Sequence, residues 1–158
     1  MQADTPVAEG IDIEQLYEYV AALRNGDFTV RLPVPAYGRA REVALNLNRH
    51  IENMGQVTRE IARVAAECTE GKLGPQAEVA LNPGPWRNMI DAVNNLAGAV
   101  TWHVRDANWT LAGLKRGDQF RKVEENCQGE WLEMKSGLNA VVEKLRQQLA
   151  GGDAKQQT

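Results

Sequence analysis

Residues 42–70 read EVALNLNRHIENMGQVTREIARVAAECTE. The stretch contains no proline, and Gly55 is its only glycine. Its apolar residues Val43, Leu47, Ile51, Met54, Val57, Ile61, Val64 and Cys68 step by 4, 4, 3, 3, 4, 3 and 4, the a/d spacing of a heptad. Arg49, Glu52, Gln56, Arg59, Glu60, Arg63 and Glu67 fall between them and form a solvated face. The spacing predicts one long helix with a single narrow apolar stripe. A narrow stripe is covered by another helix, often from a second copy of the chain, rather than by a broad core. The bland alternative is a surface helix of a globular bundle, but such helices usually run about 8–20 residues.

The same spacing extends outward in both directions. Ile13, Leu16, Val20 and Leu23 predict a first helix beginning near Ile11, capped by Gly10 or Asp12, and ending at Asn25-Gly26. Phe28, Val30 and Leu32 alternate, and Pro33 and Pro35 exclude a helix, so residues 26–38 form an extended connector. The central helix ends near Gly71. A second connector with Leu73, Ala77, Val79 and Leu81 follows, kept extended by Pro75, Pro83 and Pro85. A third helix is expected from Trp86 to about Arg116 on the stripe Met89, Val93, Leu96, Val100, Val104, Ala107, Leu111 and Leu114. The third connector starts at Gly117 and carries Phe120 and Val123. A last helix starts near Glu130, with Met134, Leu138, Val141, Leu145 and Leu149 on one face. Residues 1–10 read as a disordered leader and residues 150–158 as a polar tail.

A repeat lies inside this pattern. Gly26, Gly71 and Gly117 are spaced by 45 and 46 residues, and Asn48, Asn94 and Asn139 by 46 and 45. Each Asn follows an apolar residue: Leu47, Val93 or Leu138. Trp86 and Trp131 stand eight residues before their Asn, where the first unit has Ala40. The unit is therefore helix, Gly-led connector, helix, and it divides the chain into residues 11–55, 56–101 and 102–149. A connector of about 13 residues reaches about 40 Å when extended, while a first helix of about 15 residues is only about 22 Å long. The connector can thus run back along the bundle and set the second helix parallel to the first. A parallel pair has no other layer to cover its stripes, so a second chain is the natural cover.

Composition narrows the function classes. The chain of 158 residues carries 18 basic and 21 acidic side chains, a formal net charge of -3. That argues against nucleic-acid binding, which needs a basic patch, and against an anionic membrane surface. No apolar run approaches the roughly 20 residues that span a bilayer, and residues 1–10 lack the basic and apolar regions of a signal peptide. Cys68 and Cys127 are the only cysteines, most simply reduced thiols of a cytoplasmic chain.

The repeated unit resembles the HAMP domain, the relay module of bacterial chemoreceptors and sensor kinases. Three copies over residues 11–148 resemble a poly-HAMP array. The Gly-Lys-Leu after Glu70 looks like that of HAMP runs in soluble hybrid kinases and receptors. The resemblance implies a parallel dimeric four-helix bundle per unit, two helices from each chain, with a connector pinned outside by a glycine and two apolar anchors. The matching glycines are Gly26, Gly71 and Gly117. The first anchors are Phe28 and Leu73, with Phe120 displaced by one in the third unit because Gln119 stands in its place. The second anchors are Leu32, Ala77 or Val79, and Val123. The Glu that often opens the second helix matches Glu42 and Glu133, while the middle unit has Asn88. The expected fold is thus all-α, three stacked parallel bundle units made by a homodimer. Its seam would comprise Leu16, Val20, Val43, Leu47, Met54, Val57, Ile61, Val64, Met89, Val93, Val100, Val104, Leu111, Met134, Leu138 and Leu145.

Catalytic chemistry finds little support. His50 sits on a helix, but Asn48-Arg49 and Ile51-Glu52 are not the acidic, basic and proline-containing surroundings of a phosphoacceptor histidine. No Gly-rich nucleotide motif follows. His103 is expected at the flank of the bundle. His50, Cys68, His103 and Cys127 are too scattered for a metal site. The four tryptophans could line a cofactor pocket in a monomeric ligand or haem binder. Trp86 and Trp131 share a repeat position, however, which favours packing at the helix start. The repeated Asn residues read either as polar seam residues that fix register or as solvated flank positions. The expectation is a non-enzymatic cytoplasmic relay without cofactor, partnered by its own copy and by a sensor or output protein. A dimeric scaffold of a signalling or chemotaxis system, without switching, is the alternative.

Overall fold

The structure, a computed structural model, describes residues 10–80, 84–117, 121–124 and 126–155. Four helices follow in order: α1 (Ile13–Arg24), α2 (Gly38–Thr69), α3 (Pro85–Lys115) and α4 (Glu130–Lys155). Among the described residues there is no strand. The fold class read from the periodicity is therefore all-α. Helix α4 continues through residue 155, into the stretch expected as a polar tail. The Gly151-Gly152 pair carries a propensity cost of about 1 kcal/mol per glycine but no proline follows to force a stop.

Local chemistry sets the ends. Asp12 caps α1, its carboxylate accepting the Glu14 amide at 3.2 Å. Gly26 adopts φ 79° and its amide bonds the Leu23 carbonyl at 2.9 Å, while the Asp27 amide reaches Ala22 at 3.0 Å. This reversal needs a left-handed residue, which glycine supplies without a Cβ penalty. Gly71 at φ 80° and Gly117 at φ 87° stand at the equivalent places after α2 and α3.

The described chain forms two compact units, Met1–Glu70 with Ala77–Val93, and Gly71–Gln76 with Asn94–Thr158. Each holds parts of two neighbouring repeats.

In the first unit, Tyr19, Leu32, Ala44 and Ile51 form a buried cluster joined by Ile11, Leu16, Leu23, Phe28, Val30 and Leu47. Its contacts fix the direction of the elements. The Tyr19 hydroxyl donates to the Leu47 carbonyl at 2.8 Å, Phe28 packs against Gly55, and Leu32 is bonded by Asn48. The connector therefore travels back along α2, from the level of Gly55 to that of Asn48, and α1 runs parallel to α2.

The second unit repeats this geometry. Arg121 lies over Trp109 and Glu124 bonds Asp106, so the connector runs back along α3. On α4, Lys122 pairs with Glu143 at 3.0 Å, Val123 with Asn139, and Lys135 Nζ with the Glu124 carbonyl at 3.1 Å. The connector thus opposes both helices, and the later part of α3 runs parallel to α4.

Candidate functional site

An extended connector has no strand to pair with, so its buried backbone groups need partners from side chains. Leu32 and Val123 are 2% and 3% exposed, and their backbones are withdrawn from water with them. The Asn48 amide meets both groups of Leu32: its Oδ1 accepts the N–H at 2.8 Å and its Nδ2 donates to the carbonyl at 2.8 Å. Asn139 does the same for Val123, at 2.8 and 3.1 Å. One carboxamide offers a donor and an acceptor side by side, as a neighbouring strand would. The repeated asparagines at 48 and 139 thus serve a purpose that neither sequence reading named. They face the connector and clamp it to the helix that follows. Asn94 is half-buried on α3.

A second contact comes from the helix that precedes the connector. Glu60 Oε2 accepts the Glu78 amide at 3.1 Å, and Asp106 Oδ2 accepts the Glu124 amide at 3.1 Å. The acids are 46 residues apart, and so are the two amides. Each carboxylate also meets an arginine. Arg63 lies 2.7 Å from Glu60, one turn along α2, and Arg121 lies 3.9 Å from Asp106. The Arg63 hydrogen bond, then the Glu78 amide, hold the Glu60 carboxyl down to about 2. In the third repeat Val123 and Glu124 are consecutive, so Asn139 and Asp106 grip adjacent residues from opposite helices. In the first repeat the residue after Leu32 is Pro33, which has no N–H to offer.

The expected clasp residues fall as follows. Phe28 is half-buried against Gly55, Leu73 is half-buried, and Ala77, Val79 and Val123 are buried. The Leu73 carbonyl accepts Arg105 Nη2 at 2.8 Å. Phe120 lies outside the described residues. Glu42 and Glu133 are exposed, Glu133 in the first turn of α4, where the helix dipole favours a carboxylate. On the second and third connectors, the carboxylates that accept backbone amides are those of Glu60 and Asp106.

Of the expected seam, Val57 and Val64 are buried within the chain. Leu16, Leu47, Met54, Ile61, Val93, Val100, Val104, Met134 and Leu138 are half-buried, and Val20, Val43, Met89, Leu111 and Leu145 are exposed. Ile13, Leu96, Val141 and Leu149 add to the exposed apolar surface.

Two of the tryptophans pair with histidines. Trp131 stacks on the buried His103 with ring centroids 4.6 Å apart, and Trp86 meets the exposed His50 edge-on at 6.1 Å. Both tryptophans pack at helix starts. Among the described residues no three His, Cys, Asp or Glu come together as a metal site. Cys68 and Cys127 are free thiols, and among the described residues no helix is long and apolar enough to cross a membrane.

No solved structure matches the chain. The model of the HAMP domain matches residues 82–147, the span that contains α3, the Gly117 connector and most of α4. That span, with its parallel helices and its connector gripped from both sides, is similar to the HAMP domain.

Proposed function

We propose that the chain is a signal-relay module, a parallel homodimer of three HAMP-like units on the cytoplasmic side that passes a change in helix packing to a sensor or output partner. The observation that carries this reading is the grip on Val123 and Glu124 by Asn139 and Asp106. One short backbone segment reports on the relative position of two parallel helices, and any rotation or slide between them must strain or release it. The HAMP match over residues 82–147 supports the same reading.

A bistable element needs two packings of similar energy and a rigid means of passing on the choice. Helices α2 and α3, of 32 and 31 residues, supply rigidity. Each serves as the second helix of one repeat and the first helix of the next. The apolar stripe supplies the packing surface: Val20, Val43, Leu111 and Leu145 remain exposed, and a second copy in register would bury them.

Solution mass across a dilution series tests the dimer, with twice the 17.5 kDa of one chain expected. Direction is tested in a chain with Cys68→Ser and Cys127→Ser. Val20→Cys should then cross-link to its own copy, and so should Leu145→Cys in a separate variant. A monomer at micromolar concentration, or absence of both self-cross-links, would overturn the proposal. Switching is tested by locking alternative seam registers with disulfides ahead of a fused output domain. Equal output in every lock would leave a scaffold.

A further inference from the structure

Two of the largest apolar side chains lie away from every stripe described above. Trp102 and Trp109 are 65% and 61% exposed. They are seven residues apart, two turns or about 10 Å along the axis, and so share one face of α3. At about 100° per residue that face lies roughly opposite Val100, Val104 and Leu111. Between the rings and the returning connector runs a groove of about 570 Å³, whose walls include Arg105, Asp106 and Glu124.

The repeat shows that the fold does not require these tryptophans. The 46-residue offset that relates Glu60 to Asp106 places Gln56 opposite Trp102 and Arg63 opposite Trp109. The preceding copy presents a half-buried glutamine and an exposed arginine where this one presents two indoles. Exposed tryptophans beside arginines are the composition of binding hot spots. Arg121 already lies 4.1 Å above Trp109, paired with Asp106, and so prearranges that wall.

We propose that this groove docks an amphipathic helix of a partner protein. A small molecule suits it poorly: such sites bury about 70–90% of the ligand, whereas two rings this exposed form a shelf. An apolar row repeating every two turns matches the spacing of the two indoles. A further copy of the chain suits it poorly as well. With the seam on the opposite face, self-association here would link dimers into open chains; only this exclusion rests on the dimer reading. Charge selects the helix. Arg105 donates to the Leu73 carbonyl, and neither Arg105 nor Glu124 makes an ion pair among the described residues. The partner helix therefore flanks its apolar row with a carboxylate towards Arg105 and a basic residue towards Glu124.

The probe is a labelled synthetic helical peptide with leucines at i, i+4 and i+7, glutamates along one flank and lysines along the other. Fluorescence anisotropy should show saturable binding to the full chain, at least tenfold tighter than for a scrambled peptide of equal composition. Trp102→Gln with Trp109→Arg, the residues of the preceding copy, should weaken it at least tenfold with an unchanged far-UV spectrum. Glu124→Lys should transfer the preference to a peptide whose lysine flank is replaced by glutamate. No binding at millimolar peptide, equal binding of the scrambled peptide, or indifference to the double substitution would overturn the proposal. So would a tryptophan-dependent rise in mass above that of the chain's own dimer, which assigns the face to further copies. The dimer mass itself is read separately and bears only on the relay.

Discussion

Gly55 lies directly beneath Phe28: a Cβ built on Gly55 would stand 2.9 Å from the Phe28 Cβ. Contacts that short do not occur, and the obstructing atom is the root of a side chain rather than its flexible end. Glycine inside a helix costs about 1 kcal/mol relative to alanine, so its presence here marks where the first connector presses on α2. Gly55→Ala should lower stability by about 1–3 kcal/mol in urea denaturation, because overpacking outweighs the gain in propensity. In a Phe28→Gly background the same change should become neutral or stabilising. That sign reversal in a double-mutant cycle is the check.

Asn139→Ala should leave the N–H and C=O of the buried Val123 without partners. Each orphaned buried group costs about 1–3 kcal/mol, so a loss of about 2–4 kcal/mol is expected, with faster amide exchange at Val123. Asn139→Asp retains the acceptor but cannot donate to the carbonyl when ionised, and should fall between the two. Equal stability of all three proteins would refute the clamp.

Glu60 should contribute to acid unfolding. Its carboxyl is held at about 2 in the folded chain against an ordinary 4.5. The folded value is depressed, so the contribution is present above about pH 4.5 and is lost as pH falls towards 2. Glu60→Gln should flatten the stability profile across that window and accelerate exchange of the Glu78 amide. The contact is exposed, so 1 M salt should reproduce much of the effect on the profile.

Leu32→Ala should cost about 2–4 kcal/mol, because the side chain is almost wholly enclosed. Leu73→Ala, at a half-buried site, should cost clearly less. Chemical denaturation of the two variants in parallel tests the ranking.

Much of this fold could be read in advance because the period of the apolar residues is a property of the chain alone. Asn25-Gly26 and Gly71 marked helix ends, and the stripes from Val43 to Cys68 and from Met89 to Leu114 marked long helices. Connector length against helix length predicted the parallel course that the Tyr19, Phe28 and Leu32 contacts display. The grips were harder to see. Asn48 and Asn139 were visible as a repeat, but a heptad assigns them a place beside the seam and carries no sign of a backbone group 16 residues earlier. Glu60 looked like an ordinary member of a charged face, and Asp106 carried no mark of its own. Their 46-residue spacing, shared with Glu78 and Glu124, was the available signal. Gly55 stood out as the lone glycine of residues 42–70, yet what it admits comes from another segment. Glu42 and Glu133 matched a family position, while the carboxylates that meet connector amides stand on the opposite helices.

Pro33 makes the connectors unequal. Lacking an N–H, the first connector hangs by Asn48 alone at the place where the third is held by both Asn139 and Asp106. Gentle warming or dilute denaturant should therefore peel the first away before the third, so the molecule has a loose end and a tight end written into one imino acid.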